Sequence, residues 1–273
     1  MSRRKALVTG GGRGLGRALV IALATSGYDV IAGVRSDAEQ IAAGWPEALQ
    51  ERITVQHLDM AAPELFPVPE RLDVLINNAG YRGAYLPIEK ADMSEWKRTF
   101  DVNFFGVVAL TQHCLPALRK SAGAVICNIG SMGVYTPFPF YSTYRCSKAA
   151  LAALSEGLRI ELAPMGIRVM DIPIGGVDTD MLRTSIRYRE PEAAAYEAYQ
   201  DLAGRQMAMQ KEMAFVAAAA DEVATNIVAE LDRAGPLRRP CDPNAVAGLD
   251  YVEKSTEEQR ALAYFTRMAL TVP

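Results

Sequence analysis

Residues 6–24 read ALVTGGGRGLGRALVIALA, a short apolar run followed by a glycine-rich turn and then an apolar helical pattern. Glycine permits positive φ and lets backbone N–H groups approach a pyrophosphate, and the amino end of a helix adds positive partial charge. Many strand-to-helix turns contain glycine only because the chain must turn. The case for dinucleotide binding is stronger here because this turn lies at the first strand-to-helix junction of the chain. The residues that we expect to hold a dinucleotide here are Gly10, Gly12, Arg13, Gly14, Leu15 and Gly16.

Beyond this stretch, short apolar runs alternate with longer helical patterns. The runs span residues 6–8, 29–34, 53–58, 73–76, 124–129 and 167–172. The helical patterns lie at about 14–26, 37–50, 94–119 and 143–163. The runs lack polar alternation, as expected when both faces of a parallel sheet are covered. The sequence therefore predicts an α/β fold, with a single Rossmann-type doubly wound parallel sheet and helices on both faces, as one domain over residues 1–273.

Two segments depart from this alternation. Residues 59–71 contain three prolines and leave little room for a crossover, so we expect an irregular link or a single turn of helix. Residues 183–234 look helical, and about 183–218 of them are predicted to form a mobile helical lid over the substrate. A helical C-terminal extension is expected over about 236–273, with a helix at about 255–270.

Composition argues against several classes of function. The net charge of −3 gives no basic excess with which to bind nucleic acid. Four cysteines without CxxC pairing read as reduced thiols of a cytoplasmic protein. No apolar run reaches the roughly 18 residues of a membrane span. Only two histidines are present, far apart, and no spacing suggests a metal site.

Two arginines bear on the choice of cofactor. Arg13 lies inside the glycine turn, and Arg35 follows the second strand, where the adenosine ribose of a dinucleotide should lie. An NAD enzyme usually places an acid at the end of that strand, but residues 32–36 read AGVRS. A guanidinium can bind a 2′-phosphate with two hydrogen bonds. The sequence favours NADP(H); the alternative is that both arginines are solvated surface groups.

The candidate chemistry lies in a tyrosine and a lysine one helical turn apart. A phenol, with a pKa of about 10, is a poor acid or base at neutral pH, but a nearby cation lowers that pKa. Lys148 is predicted to do so for Tyr144, which would then exchange a proton with a carbonyl or alcohol oxygen. The hydroxyl of Ser131 would hold the same oxygen. Such a pair alone is common in ordinary helices. It indicates catalysis only in combination with the glycine turn.

In combination, these motifs resemble the classical branch of the short-chain dehydrogenase/reductase family over roughly residues 5–235. Residues 9–16 match its TGxxxGxG turn, and residues 77–80 match its NNAG segment. Asp59 matches the acid that contacts adenine, and residues 178–181 resemble the turn whose threonine binds the nicotinamide carboxamide. The residues that match the family's catalytic tetrad are Asn103, Ser131, Tyr144 and Lys148.

The resemblance implies further roles. Asn103 would help to hold a water that links Lys148 to solvent, and hydride would pass between the nicotinamide and the substrate carbon beside Tyr144. The expected cofactor contacts outside the glycine turn are Arg35, Asp59, Asn78, Ala79, Gly80, Tyr144, Lys148, Gly175, Val177 and Thr179. Many members of the family pair through the helices that would here be 94–119 and 143–163, so a homo-oligomer is expected.

The chain departs from the family pattern in three places. The usual Pro-Gly before the nicotinamide turn reads PIG at residues 173–175, and the third crossover is short. The carboxyl-terminal part lacks the strand ending in Asp-Gly-Gly and instead resembles the branch related to 17β-hydroxysteroid and retinol dehydrogenases. An altered carboxyl-terminal contact favours a dimer over a tetramer.

Apolar and aromatic side chains surround the predicted chemistry in the sequence. They are Met132, Val134, Tyr135, Pro137, Phe138, Phe140 and Tyr141, and further along Tyr188, Tyr196, Tyr199, Met207 and Met209. Small-molecule pockets are mostly apolar with a few polar anchors. Ser131, Tyr141 and Tyr144 are the expected substrate contacts, and an apolar or aromatic ketone, aldehyde or secondary alcohol is the expected substrate. The alternative is that the aromatic residues belong to the core or to a subunit interface.

The function favoured by the sequence is that of an NADPH-dependent carbonyl reductase or secondary-alcohol dehydrogenase. One alternative is a non-catalytic NADP-binding sensor or regulator, but such proteins usually lose the tyrosine or the lysine. Another is an extended-type epimerase or dehydratase, but that class has a GxxGxxG turn and a longer substrate domain. Neither feature is present in this sequence.

Overall fold

A single parallel sheet organises the molecule. The computed structural model describes residues 3–35, 38–185, 190–212 and 215–271. The strands are β1 (Lys5–Thr9), β2 (Asp29–Val34), β3 (Ile53–His57), β4 (Val74–Asn77), β5 (Val125–Ser131) and β6 (Arg168–Ile174). Their order in the sheet is β3-β2-β1-β4-β5-β6, so the strand order reverses between β1 and β4. The predicted doubly wound α/β fold is confirmed, and each of the six predicted strands is present.

Ten α-helices lie within the described residues. They are α1 (Gly14–Thr25), α2 (Ala38–Ala43), α3 (Met93–Phe100), α4 (Gly106–Leu118), α5 (Ser142–Leu162), α6 (Asp180–Arg183), α7 (Gln200–Glu212), α8 (Ala220–Glu230), α9 (Pro243–Glu253) and α10 (Glu257–Arg267).

Alternate residues of β1, β2, β4, β5 and β6 enter two separate cores, whereas β3 contributes to one of them. Val8 of β1 packs in one core with Leu19 of α1 and Ile227 of α8. Its neighbour Leu7 faces the other way and packs with Leu110 of α4. Because successive side chains of a strand point to opposite faces, two apolar cores require helices on both sides of the sheet.

Two of the predicted helices are interrupted. The pattern at 37–50 gives α2 and a separate 3-10 helix at Glu47–Arg52, since Pro46 between them cannot continue a helix. The pattern at 94–119 gives α3 and α4, joined by a π-helical turn at Asp101–Phe105 that the sequence analysis did not anticipate. The proline-rich third crossover contains one 3-10 turn at Pro63–Leu65, as predicted.

The carboxyl-terminal part is less regular than its sequence pattern suggests. Two 3-10 turns, Glu192–Ala195 and Glu197–Tyr199, precede α7 where continuous helix was expected. The predicted terminal helix is α10, but α9 before it was missed. Arg238 forms one parallel bridge with Asp171 of the edge strand β6. Within the described ranges, no helix combines the length and the apolar character needed to cross a membrane.

Candidate active site

The glycine turn has backbone geometry that other residues would not tolerate. Gly10 and Gly14 have φ of +65° and +51°, in the left-handed region that glycine enters without strain. A methyl group on Gly16 would lie 2.1 Å from the carbonyl oxygen of Gly10. Helix α1 begins at Gly14 with neither a side-chain cap nor an acidic residue in its first turn. Its amino end therefore suits an anion such as a pyrophosphate.

The segment after β4 is fastened to this turn. The Thr9 hydroxyl accepts hydrogen bonds from the backbone N–H groups of Asn78 (2.9 Å) and Ala79 (2.8 Å). The Asn78 side-chain amide in turn donates to the Thr9 carbonyl oxygen at 2.9 Å. A methyl group on Gly80 would lie 3.9 Å from Lys148 Nζ. The predicted contacts Asn78, Ala79 and Gly80 therefore connect the glycine turn to the candidate catalytic lysine.

The residues predicted to select the cofactor lie at the same edge of the sheet. The backbone N–H of Gly11 donates to the Gly33 carbonyl oxygen at 3.0 Å, which ties the glycine turn to the end of β2. Arg35 follows β2, and Asp59 follows the adjacent strand β3. Arg13 and Arg35 are both exposed. Two exposed arginines therefore lie at the edge of the sheet where doubly wound folds bind the adenosine end of a dinucleotide.

The turn after β6 meets the glycine turn from the opposite side. Thr179 caps α6 by accepting a hydrogen bond from the Leu182 N–H at 3.4 Å. A methyl group on Gly14 would lie 3.2 Å from Thr179 Cγ2. Val177 is buried and forms a bridge with Ala218. Residues distant in sequence thus come together as the predicted cofactor contacts.

The carboxyl-terminal extension holds this turn through Asp242, which was not among the residues predicted from sequence. The carboxylate accepts hydrogen bonds from the N–H groups of Gly175 and Ala245, each at 2.9 Å. A methyl group on Gly175 would lie 2.5 Å from the nitrogen of Ala245. An aspartate followed by Pro243 at the first helical position is a recognisable helix-start signal, and it could have revealed α9.

Three members of the predicted tetrad meet beneath the amino end of α5. Tyr144 and Lys148 are both buried, and Lys148 Nζ lies 6.0 Å from the centre of the Tyr144 ring. Lys148 Nζ donates to the carbonyl oxygen of Ile129 at 2.8 Å. Ser131, at the end of β5, lies near the Tyr144 side chain and acts to lower the pKa of Tyr144. The same serine accepts from the Gly133 N–H at 3.1 Å, which fixes its rotamer.

Asn103, the fourth member, lies in the π-helical turn and is fully buried. Its oxygen accepts from the Tyr81 N–H at 2.7 Å, and its amide donates to the Tyr81 carbonyl at 2.8 Å and to Ser147 Oγ at 2.9 Å. Ser147 Oγ donates to the carbonyl oxygen of Tyr144 at 2.7 Å. Asn103 thus joins the loop after β4 to the helix that carries Tyr144. π-Helical turns often occur at functional sites.

The predicted fall in the pKa of Tyr144 does not appear in the structure. Burial raises the pKa of Tyr144, against the effects of the nearby Ser131 side chain and of the positive charge of Arg82. Burial also lowers the pKa of Lys148 to about 8, although Asp171 acts in the opposite direction. A spacing of four residues indicates proximity but not desolvation, which disfavours the charged form of each group.

A column of three aromatic rings approaches the site from the loop after β4. The ring of Tyr141 stacks on that of Tyr144 with centroids 4.9 Å apart, and Tyr85 stacks on Tyr141 at 5.1 Å. The guanidinium carbon of Arg82 lies 5.1 Å from the centre of the Tyr85 ring. Tyr141 was predicted. Arg82 and Tyr85 were not, because only their nearness to the NNAG segment could have marked them.

Several other predicted substrate residues pack instead among themselves. Phe140 is buried, and its ring meets that of Tyr199 edge-on at 6.0 Å. Phe138 meets Tyr264 of α10 edge-on at 5.9 Å. The buried residues Met132 and Met209 likewise belong to the apolar interior. For these residues the core alternative is supported, and Tyr188 lies outside the described residues.

The remaining predicted side chains have other surroundings. Tyr135 lies below the guanidinium carbon of Arg238, which is 5.7 Å from the ring centre. Lys90 Nζ is 5.4 Å from the centre of the Tyr196 ring. Neither contact involves Tyr144. Among the aromatic residues predicted to bind substrate, Tyr141 is the one whose ring stacks on that of Tyr144.

Comparison with known proteins gives consistent matches. Residues 4–190 match the family model for short chain dehydrogenases. The human 17-beta-hydroxysteroid dehydrogenase type 2 is 35% identical over 202 residues, which cover 70% of this chain and 52% of that protein. The chain thus spans about half the length of this relative.

Solved structures match over nearly the whole chain. A short-chain dehydrogenase from Streptomyces avermitilis has a TM-score of 0.75 and 28% identity, covering 98% of each chain. A short chain dehydrogenase from Burkholderia cenocepacia, solved in complex with NADP, has a TM-score of 0.72 and 24% identity, covering 100% of this chain and 99% of that one. At this identity the second match supports the fold alone.

Proposed function

Because the chain belongs to the short-chain dehydrogenase family, oxidoreductases that act on hydroxyl or carbonyl groups, we propose that it is an NADPH-dependent carbonyl reductase or secondary-alcohol dehydrogenase. The observation that carries this proposal is the meeting of Tyr144, Ser131 and Lys148 below a loop held by Asn103. No feature of the described residues favours the sensor alternative, which would not need a buried phenol and amine side by side.

The geometry supports a proton-transfer role for Tyr144. A substrate oxygen placed beside the Tyr144 and Ser131 hydroxyls can accept hydrogen bonds from both, and Tyr144 then supplies the proton in reduction or receives it in oxidation. Because burial raises the pKa of Tyr144, the phenol is protonated at neutral pH, which is the form that reduction needs. Lys148, whose pKa falls to about 8, can exchange a proton near neutral pH and so reprotonate Tyr144 after it has donated its proton.

The cofactor proposal rests on the glycine turn and on the two exposed arginines. Gly10, Gly12, Gly14, Leu15 and Gly16 would hold the pyrophosphate. Thr179, Val177 and Gly175 would hold the nicotinamide end, together with Tyr144 and Lys148. Arg13 and Arg35 would hold the 2′-phosphate, and Asp59 the adenine. The bound nicotinamide supplies or accepts the hydride. The missing acid at the end of β2 supports NADP(H) over NAD(H).

The test of the reaction is NADPH consumption against a panel of ketones and aldehydes, weighted towards aromatic and polycyclic compounds. Tyr144→Phe should lower kcat about 10²- to 10⁴-fold, since it removes the transferable proton and keeps the ring. Tyr251→Phe, on the exposed face of α9, is the control and should match the wild type. If Tyr144→Phe kept full activity, the acid–base assignment would fail. Tight NADPH binding without turnover of any carbonyl would favour the sensor alternative.

The test of the cofactor is the ratio of the dissociation constants for NADH and NADPH, measured by nucleotide fluorescence. Arg35→Asp should weaken NADPH relative to NADH by about tenfold or more, because charge-assisted hydrogen bonds contribute about 1.5–3 kcal/mol each. Arg119→Asp, an exposed change just after α4, is the matched control. An unchanged ratio in Arg35→Asp would remove that residue from the 2′-phosphate site.

The substrate proposal is an apolar or aromatic ketone, aldehyde or secondary alcohol. The stacked ring of Tyr141 beside Tyr144 supports it, and the human relative's name adds a hydroxysteroid to the panel. The packing of α9 and α10 against the site supports a single domain over the whole chain. Homodimerisation through α4 and α5, and a cytoplasmic location, stay predictions.

A further inference from the structure

We propose that Arg82 is a positioning residue for the proposed reaction: it anchors the Tyr85–Tyr141–Tyr144 column to the segment after β6 and so holds a positive charge near the reacting phenol. This inference rests on the proposed function, because it assigns to Arg82 an effect on the proton transfer of Tyr144.

The first line of support is the contact of Arg82 with the column. Arg82 Nη1 donates to the Tyr85 hydroxyl at 3.1 Å, and the guanidinium carbon lies over the Tyr85 ring. The Tyr85 and Tyr141 rings are nearly parallel, at 10°, and Tyr141 and Tyr144 are inclined at 29°. The three rings are therefore stacked in an unbroken series from Arg82 to Tyr144.

The second line of support is the anchor on the opposite side of the guanidinium. Arg82 Nη2 donates to both the carbonyl oxygen and the hydroxyl of Thr184, each at 2.8 Å. Thr184 ends the short helix α6, whose first residue follows Thr179. One guanidinium therefore bridges the proposed nicotinamide turn and the aromatic column. A shift of α6 would move the charge that faces Tyr144.

The third line of support is the partial burial of the guanidinium. Arg82 Nε is buried and has no hydrogen-bond partner among the described residues, whereas the contacts of Nη2 with Thr184 are exposed. A half-buried cation is screened less by water than a fully exposed one. Its charge opposes the effect of burial on the pKa of Tyr144, and it acts on the pKa of Tyr141 in the same direction.

The other groups around the phenol act differently. Lys148 faces Tyr144 from α5, but its amine donates to the Ile129 carbonyl, and Asp171 of β6 acts on that amine. Glu192 faces the column from the 3-10 turn and accepts a hydrogen bond from the Tyr85 backbone N–H at 2.8 Å.

The experiment is the pH dependence of kcat/KM for alcohol oxidation, in which Tyr144 must be deprotonated. Arg82→Gln should move the midpoint upward by about 0.5–1 pH unit, because the phenolate loses a cation. Arg82→Lys keeps the charge and should restore most of the wild-type midpoint. Arg98→Gln is the matched control, since Arg98 also lies over a tyrosine ring, 4.3 Å from the centre of Tyr81, but is exposed. Its midpoint should equal that of the wild type.

A second measurement needs no turnover. The absorbance of tyrosine phenolates is titrated with pH in the wild type and in Tyr144→Phe, and the difference between them reports Tyr144. The same difference is then measured between Arg82→Gln and the double variant Arg82→Gln/Tyr144→Phe. Under the proposal, this difference titrates at higher pH without Arg82. Coincident titrations would overturn the role of Arg82 even if the wild type reduces carbonyls as proposed. A wild type without any turnover would overturn the proposed function, and the titration would still decide on Arg82.

Circular dichroism checks that each variant is folded. If Arg82→Gln is not folded, Tyr85→Phe replaces it, because this change removes the hydroxyl that Arg82 Nη1 contacts and keeps the stacked ring. It should raise the Tyr144 midpoint in the same direction by a smaller amount, and an unchanged midpoint would contradict the proposal.

Discussion

A methyl group on Gly16, in the turn before α1, would overlap the Gly10 carbonyl oxygen at 2.1 Å, whereas one on Gly204 of α7 would meet nothing within 4 Å. These glycines belong to two regions of the molecule. One region, residues 9–16 and 77–80, we call the cofactor side after its proposed role, and it is built from backbone groups in close approach. The other region, residues 180–271, we call the substrate side after its proposed role. It is joined to the rest by hydrogen bonds from the Gly175 N–H to Asp242 and from Arg82 to Thr184. The first tolerates no added methyl group at Gly16, and the second depends on a few polar contacts.

The largest expected difference between the two sides comes from adding one methyl group to each. Gly16→Ala should weaken NADPH binding more than 100-fold or unfold the turn, because the backbone oxygen it meets cannot rotate away. Gly204→Ala should instead stabilise the protein by about 0.5–1 kcal/mol, since alanine favours a helix interior. Nucleotide fluorescence and urea unfolding measure the two effects. Equal tolerance at both positions would erase the distinction between the sides.

The next largest effect is expected from the anchor of the substrate side. Asp242→Ala removes the cap of α9 and the hydrogen bond to Gly175, and should cost about 2 kcal/mol of unfolding free energy. Asp250→Ala, within the same helix, breaks only an exposed pair with Lys254 and is the control, with an expected cost below about 1 kcal/mol. If the two variants unfolded at the same urea concentration, Asp242 would not be an anchor.

The smallest effect is a pH dependence at the edge of the sheet. Burial raises the pKa of Asp171 to about 6, above its usual value of 3.8, against the charges of Arg238 and Lys148. Because the folded state holds this proton more tightly, the contribution of Asp171 to stability is full below about pH 4 and is lost as pH rises through about 6. Asp171→Asn should therefore be more stable than the wild type by about 1–2 kcal/mol at neutral pH.

Urea unfolding of both proteins at acidic and neutral pH measures this difference. Asp201→Asn, which changes an exposed carboxylate paired with Arg205, serves as the control. A wild type that gained stability relative to Asp171→Asn as the pH rose would contradict the sign of the effect.

The two sides also differ in how far sequence alone could predict them. All six strands and the glycine turn follow from local apolar runs and glycine spacing, so the positions of these elements were predicted from sequence. The cofactor contacts within them stay predictions. Asp242, by contrast, acts on Gly175 across the fold, and nothing in the local sequence indicates that partner. The π-helical turn around Asn103 was missed for a related reason, since its sequence continues the helical pattern on both sides.

The acid–base chemistry falls between these two cases. The positions of Tyr144 and Lys148 on one helical face were predictable from their spacing, and the structure places them together. The direction in which the pKa of Tyr144 shifts was not predictable, because it depends on burial by elements distant in sequence. Arg82 follows the NNAG segment with no pattern of its own, so only the folded chain shows that it faces the tyrosine column.

The backbone of Phe140 has a consequence for how this molecule could be altered. Its φ of +64° is costly for a bulky side chain, by about 1–2 kcal/mol, and its packing against Tyr199 offsets that cost. Loss of Tyr199 would let residue 140 relax and would carry the adjoining Tyr141 away from Tyr144. Laboratory evolution towards new substrates should therefore select substitutions near residue 199. These would change kcat by moving Tyr141, and the proposed proton-transfer residues would stay unchanged.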